Sequence, residues 1–232
     1  MSLLKIENLT VMAENKKIID GITFDIKEGE IVAIMGPNGS GKTTLARSII
    51  NDPRLKKRGK IYFKETDITN LSTNEIAKLG IFLSFQSPPE IESIKTSMLL
   101  THIKESFDEE EVKKMGIKLG LPEDFLERGL NVGLSGGEKK KMEILLMKLL
   151  DPKLIILDEI DSGLDIDSLV KINDIIKEMN DNGKTFLIIT HYTRIFQKIK
   201  PNRVLIMKNG KIVKEGDSSL LKIIDENGYD GV

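Results

Sequence analysis

Nine residues near the start of the chain, "GPNGSGKTT", have the types and spacing needed to hold a row of phosphates: Gly36, Pro37, Asn38, Gly39, Ser40, Gly41, Lys42, Thr43 and Thr44. They match G-x-x-x-x-G-K-[ST], and they follow the apolar run "EIVAIM" (Glu30 to Met35) directly. The glycines let backbone N–H groups turn inward as a concave anion site. The helix that follows, "KTTLARSII", aims its positive end at the same place. Lys42 can reach the outer phosphates and the Thr43 hydroxyl can hold Mg²⁺. A second apolar run, "KLIILDE", ends in Asp158 and Glu159. Carboxylates at the end of a buried parallel strand lie in the crevice where such sheets bind ligands. There Asp158 would place Mg²⁺ and Glu159 would polarise an attacking water. A third run, "KTFLIITH", ends in His191, which could hydrogen-bond the γ-phosphate or orient the water. The other histidine, His102, has no such setting and reads as an ordinary helix residue.

The elements that must carry these groups are strands and helices in alternation. "EIVAIM", "KLIILDE" and "KTFLIITH" have the near-continuous apolar character of strands buried on both faces. Each is followed by a loop and a helix pattern, the signature of a parallel sheet with helices on its faces. After "LDEIDSG", Ile166, Leu169, Val170, Ile172, Ile175, Ile176 and Met179 form a core-facing stripe. "LKIENLTV" and "GITFDI" read as strands at the start, and "NRVLIM" and "GKIVKEG" as a late pair with a turn at Asn209-Gly210. From about 87 to 133 the alternation stops. No strand is evident there, and helices are expected over Ile94 to Ser106, Glu109 to Leu119 and Pro122 to Arg128. A last helix is expected from about Asp217 to Asp225.

Bulk properties narrow the classes. Lys+Arg 35 against Asp+Glu 36 leaves a net charge of -1, which gives no electrostatic ground for nucleic-acid binding. No apolar run approaches the roughly 18 residues needed to span a bilayer. "MSLLKIENLT" has neither the basic flank nor the apolar core of a signal peptide, so a cytoplasmic location without membrane insertion is expected. The chain has no cysteine, and so no thiolate of its own for a soft metal or a cluster.

One stretch resists this reading. In "GLSGGEKKKMEILL" (Gly133 to Leu146) a helix pattern opens on two glycines. Ser135 as a cap on a charged, solvated helix would explain the serine and the glutamate but not the glycines. The full order of motifs runs "GPNGSGKTT", Gln86 in "FLSFQSPPEI", "LSGGE", "LIILDE", "SGLD" and "LIITH". This order resembles the nucleotide-binding domain of ABC ATPases over essentially the whole chain. The resemblance implies an α/β P-loop NTPase fold with a mixed sheet core, an N-terminal antiparallel β part and a helical insertion. On this reading residues 1–232 form a single domain, with 1–86 and 134–232 as the core and 87–133 as the helical subdomain. It also implies a head-to-tail homodimer closed around two ATP. The "LSGG" of one copy would cover the γ-phosphate held by the other, with Ser135, Gly136 and Gly137 in contact with nucleotide. Lacking β-carbons, the two glycines would let backbone amides approach phosphate closely. Gln86 would join the helical insertion to the Mg²⁺ and the water, and Asp165 would contact the opposing site. One departure stands out. "TVMAENKKII" (Thr10 to Ile19) has no aromatic residue where such domains usually stack adenine, and Phe24 alternates like a core residue. Weak discrimination between ATP and GTP is therefore expected.

The local wording resembles one branch of the family more than others. "LSGGEKKK", "DEIDSGLDID", "FQSPPEI" and "THYTRI" are similar to SufC-type ATPases of SUF iron–sulfur cluster assembly. That implies SufB-type and, in many systems, SufD-type scaffold partners, contacted through the helical subdomain. A charge at a helix start and a solvated lysine face would produce part of the same wording. The ATP-binding subunit of a membrane transporter therefore stays open as the alternative. A chromosome or repair ATPase would need a long coiled coil between Lys42 and Ser135, and the roughly 90 residues there show no sustained heptads.

Overall fold

The computed structural model describes residues 1–103 and 108–231. Two long strands, β1 (Ser2–Ala13) and β2 (Lys16–Lys27), pair antiparallel around a tight turn at Glu14 and Asn15, both of which have positive φ. The chain then enters the fully buried β3 (Ile31–Met35) and, past the phosphate loop, α1 (Lys42–Ile49). β4 (Lys56–Phe63) pairs with β1, and the short β5 (Thr66–Asp67) completes a first sheet of order β2-β1-β4-β5. α2 (Thr73–Lys78) and β6 (Ile81–Ser84) lead into the middle segment.

That segment holds β7 (Ile91–Lys95), α3 (Thr96–Ile103), α4 (Glu109–Leu119) and β8 (Gly129–Leu130). It departs from the sequence expectation in three places. β7 and β8 form a small antiparallel ladder, Ile91 opposite Leu130 and Lys95 opposite Gly129, where no strand was expected. Pro122 to Arg128 forms turns rather than a helix, with Phe125 and Leu126 both buried. The helix expected over 94–106 begins two residues later, and residues 104–106 lie outside the described residues. α4 has the expected span, capped by Asp108, whose carboxylate accepts from the Glu111 N–H.

The return to the centre runs through α5 (Gly136–Leu150), β9 (Leu154–Asp158), α6 (Ile166–Asp181) and β10 (Thr185–Ile189). β11 (Arg203–Lys208), β12 (Lys211–Gly216) and α7 (Ser219–Asn227) follow, the last set two residues later than expected. The second sheet has order β12-β11-β3-β10-β9-β6, parallel except for β12. The whole is therefore α/β with a mixed sheet and an antiparallel N-terminal part.

Alternate residues of the central strands feed two cores, as the two-residue period of a strand requires. Ile31, Ala33 and Met35 pack with α5, α6 and α7 on one face. Val32 and Ile34 pack with α1 and the first sheet on the other. Register then places the chemistry. Ile189 lies level with both Ile34 and Asp158, and Ser84 lies level with Leu157. The ends of β3, β6, β9 and β10 thus open on one edge of the sheet, the ligand side of a parallel α/β arrangement.

Candidate active site

The phosphate loop occupies that edge. Gly36 must be glycine, because a β-carbon there would lie 2.0 Å from the Met207 carbonyl oxygen. Lys42 is buried, and its ammonium donates to the carbonyl oxygens of Gly36 at 2.8 Å and Pro37 at 3.0 Å. Burial lowers its pKa, and the nearby Glu159 and Asp158 carboxylates oppose that shift only in part. Ser40 Oγ is buried and has no hydrogen-bond partner among the described residues. A cradle with an unspent ammonium and an orphaned hydroxyl fits a phosphate chain.

Thr43 Oγ1 donates to Asp158 Oδ1 at 3.2 Å. Burial pushes the Asp158 carboxyl up to about 6. A buried carboxylate beside a hydroxyl offers two hard oxygens, the donor type Mg²⁺ prefers. No cluster of three or more ligating His, Cys, Asp or Glu side chains occurs among the described residues. The donor set therefore suits a cation shared with phosphate oxygens better than an all-protein cage.

Glu159 follows immediately, in the left-handed region at φ 51. Its N–H donates to the Ile189 carbonyl at 2.9 Å, which fixes the turn that aims the carboxylate inward. Oε2 accepts from Gln86 Nε2 at 2.7 Å, and Oε1 lies 3.2 Å from His191 Nδ1. Gln86, Glu159 and His191 thus meet, although they are far apart in sequence. A cleft of about 450 Å³ joins Gln86 and Glu159 to Lys42, Thr43, Thr44 and the backbone at Asn38, Gly39 and Gly41. Its lining is completed by Lys16 and Ile18 and includes no aromatic ring. Phe24 is buried in the core.

The remaining candidates line a different cleft of about 780 Å³, which brings Ser135, Gly136 and Gly137 together with Asp165. Gln86 borders both clefts. Ser135 and Glu138 cap α5 reciprocally. The Ser135 N–H and hydroxyl donate to Glu138 Oε2 at 2.8 and 2.7 Å, and the hydroxyl accepts from the Glu138 N–H at 3.3 Å. Asp165 caps α6, accepting from the Ser168 N–H at 2.6 Å. The two glycines are the informative residues. Neither has a positive φ. A β-carbon on Gly136 would meet nothing within 4 Å, and one on Gly137 only an ordinary contact, 3.4 Å from the Gly163 carbonyl. Nothing among the described residues requires glycine at either position.

A model of the ABC transporter family matches residues 19–162. The chain belongs to the ABC transporter family. As a member it is an ATPase built on a nucleotide-binding cassette. It is 41% identical to the probable ATP-dependent transporter SufC of Escherichia coli K12, over 98% of this chain and 97% of that one. It is 42% identical to the iron–sulfur cluster assembly protein SufC of Plasmodium falciparum, over 92% of this chain and 66% of that one. These names bear out the resemblance to SufC-type proteins. Among solved structures, a dimeric ATP-binding cassette in a post-hydrolysis state with ADP and Pi superimposes with a TM-score of 0.76. It is 27% identical, with 93% of this chain and 98% of that one covered.

Around this ABC cassette lie polar residues that the sequence did not single out. Asp161 is buried, accepts from the Thr190 hydroxyl at 3.1 Å, and is also bound by Arg194 through its carboxylate and its carbonyl oxygen. Tyr229 donates its hydroxyl to the His191 carbonyl at 3.0 Å. Lys140, part of the lysine run that looked solvated, is buried beside Glu143. Only "DSG" and "THYTR" hinted at the first of these networks, and nothing local signalled the other two. His102 sits exposed on α3, with Nδ1 2.8 Å from the Met98 carbonyl oxygen. No helix among the described residues is long and apolar enough to cross a membrane.

Proposed function

We propose that this ATPase is the cytoplasmic motor of a SUF-type iron–sulfur cluster assembly system, closing head to tail on a second copy around two Mg-ATP. The observation that carries the dimer is the pair Gly136 and Gly137, which the isolated chain does not need. Their use is to let the amides at the start of α5 reach the γ-phosphate held by another copy. Ser135 would add a hydroxyl, and Asp165 would meet the opposing site across the same cleft.

Within one copy, residues 36–44 bind the phosphates, with Lys42 on the outer pair and Thr44 at the mouth. Thr43, Asp158 and Gln86 would hold Mg²⁺, which when bound supplies positive charge beside the β- and γ-phosphates. Glu159 orients and polarises the attacking water, and His191 steadies Glu159 and the γ-phosphate. This reading is supported by the contacts that Gln86, at 2.7 Å, and His191, at 3.2 Å, make with the Glu159 carboxylate. The cluster assembly role is supported by the SufC names of the relatives and by the absence of cysteine, which suits a chain that drives a scaffold rather than carries a cluster. Residues 87–133, read as the helical subdomain on the 1–86 and 134–232 core, would dock a SufB-type or SufD-type scaffold. Exposed Ile91, Met98 and Ile103, close in sequence to the Gln86 loop, give this segment an apolar surface.

Glu159→Gln tests the motor. It removes the water-polarising carboxylate but keeps the shape of the site, so Mg-ATP should convert a largely monomeric chain into a stable dimer in sedimentation runs. Fast turnover by this variant, or a monomer at saturating Mg-ATP, refutes the assignment. The same variant, tagged and captured from its host with and without detergent, tests the partner. Soluble scaffold proteins support the SUF reading. A polytopic membrane protein held only in detergent would instead support a transporter subunit, the second reading, which the E. coli relative's name "ATP-dependent transporter" favours.

A further inference from the structure

Two buried charges have no part in the chemistry above. Lys140 and Glu143 lie three residues apart on α5 and are 3% and 6% exposed. Burying an ammonium and a carboxylate is costly, and apolar side chains of similar volume often serve stability better. Burial lowers the Lys140 pKa and pushes Glu143 up to about 7, the mark of two charges kept where water would suit them better. Their polar ends converge on one residue of another element. Lys140 Nζ donates to the Phe85 carbonyl oxygen at 2.7 Å, and Glu143 Oε2 accepts from the Phe85 N–H at 2.7 Å.

Phe85 is the first residue beyond β6, where the sheet no longer holds the backbone. Gln86 comes next, with its amide on Glu159. Both main-chain polar groups of Phe85 are therefore held by α5, the helix whose first turn is Gly136 and Gly137. A helix of 15 residues moves as a rigid body, so its phosphate-facing end and its grip on Phe85 cannot shift independently.

We propose that Glu143, assisted by Lys140, is a positioning residue that sets Gln86 against Glu159 and makes that placement follow the signature helix. Drawing the start of α5 onto a nucleotide held by a second copy carries the Phe85 main chain with it. The amide of Gln86 then moves relative to the carboxylate of Glu159. Closure over one nucleotide is thereby transmitted to the catalytic carboxylate of the other site. This rests on the reading that Gln86 and Glu159 serve ATP hydrolysis.

The test uses the full chain and variants Glu143→Met, Glu143→Gln and Gln86→Ala. Without nucleotide, exchange of the Phe85 amide proton should speed up in Glu143→Met, which has no acceptor, and stay slow in Glu143→Gln, which keeps a carbonyl oxygen. With Mg-ATP, kcat of Glu143→Met should fall roughly tenfold to a hundredfold with KM little changed, the signature of a misplaced catalytic group. Glu143→Gln should stay within about twofold of the parent, and adding Glu143→Met to Gln86→Ala should cost nothing further. If Glu143→Met does not fold, Lys140→Met removes the other half of the grip and carries the same expectation. Normal kcat in Glu143→Met beside an impaired Gln86→Ala overturns the positioning role and leaves the reading of Gln86 standing, and an additive double variant does the same. Normal turnover in Gln86→Ala removes that reading and this proposal with it.

Discussion

Replacing Gly136 by alanine should make the fold more stable and the enzyme nearly inert. The β-carbon would enter open space, with no heavy atom within 4 Å, so no packing cost arises. The position is helical without a positive φ, so alanine adopts the backbone without strain. Gly to Ala inside a helix is worth roughly 0.5–1 kcal/mol, and the first turn sits at the low end, about 0.5 kcal/mol. For a chain of this size that is a rise of about 1–2 °C in Tm, readable by calorimetry of the nucleotide-free protein. The same methyl group would stand between the α5 amides and a phosphate of the second copy. Losing one well-placed donor to a charged transition state costs about 10²–10³ in kcat. Affinity of the monomer for ATP should not change, because residues 36–44 lie in the other cleft. The assays are a melt, ATP binding by the dilute monomer, and turnover at concentrations that allow pairing. A Gly136→Ala protein that melts higher and hydrolyses ATP at the normal rate would refute the argument that these glycines exist for a partner's nucleotide. A lower Tm would refute the claim that the chain itself does not need them.

Asp158 predicts a pH dependence. Its folded-state pKa is raised to about 6 from an ordinary 3.8 by burial, so the folded protein binds the extra proton between those values. Its contribution to stability is greatest below pH 4 and is lost as pH rises through about 6. Asp158→Asn should therefore raise the Tm of the nucleotide-free protein at pH 7.5 and leave it little changed at pH 4. Mg²⁺ requires the ionised carboxylate, so the Mg²⁺ concentration needed for half-maximal turnover should climb as pH falls below 6; a flat profile between 5 and 8 would take Asp158 out of the metal's coordination. The cleft proposed for the nucleotide is lined by Lys16 and Ile18 and by no ring, so stacking worth about 1–3 kcal/mol elsewhere should be missing and ATP and GTP titrations should agree within about tenfold. A hundredfold preference for ATP would show that some other group reads the base.

The parts of this molecule legible in its sequence are those whose cause is local. Residues 36–44 specify their own turn, and the apolar runs at β3, β9 and β10 announce burial on both faces without reference to any partner. Because those strands are parallel and in register, finding the runs was enough to predict that Asp158 and His191 would share an edge with Lys42. β7 escaped notice because "IESIK" is largely exposed, and what makes it a strand is Gly129 and Leu130, more than 30 residues later. Phe125 stands four residues after Leu121, a helical spacing, yet Phe125 and Leu126 are both buried through turns. A β-carbon on Gly116 would lie 2.5 Å from the Phe125 ring, so α4 has to provide a glycine to admit it. The lysine run, for which a solvated face was one of two open readings, was opaque for a similar reason. Lys139 reaches Glu90 and Lys140 reaches Phe85, partners that no window around residue 140 contains.

The contacts of Glu159 connect these distant parts. Its two oxygens face Gln86 and His191, and its backbone is held in the left-handed region by a bond to Ile189. A carboxylate held by Gln86 on one oxygen and by His191 on the other keeps a fixed direction, and its remaining lone pairs can still accept from a water. Losing Gln86 would leave that direction unset, and Gln86 follows Phe85, whose two main-chain groups are held by side chains of α5. Gly136 and Gly137, proposed above to meet a nucleotide held by a second copy, open that same helix. On that proposal, pairing of two cassettes would reset Gln86 against Glu159 through α5, so a monomer without that pull should turn over more slowly than a closed dimer.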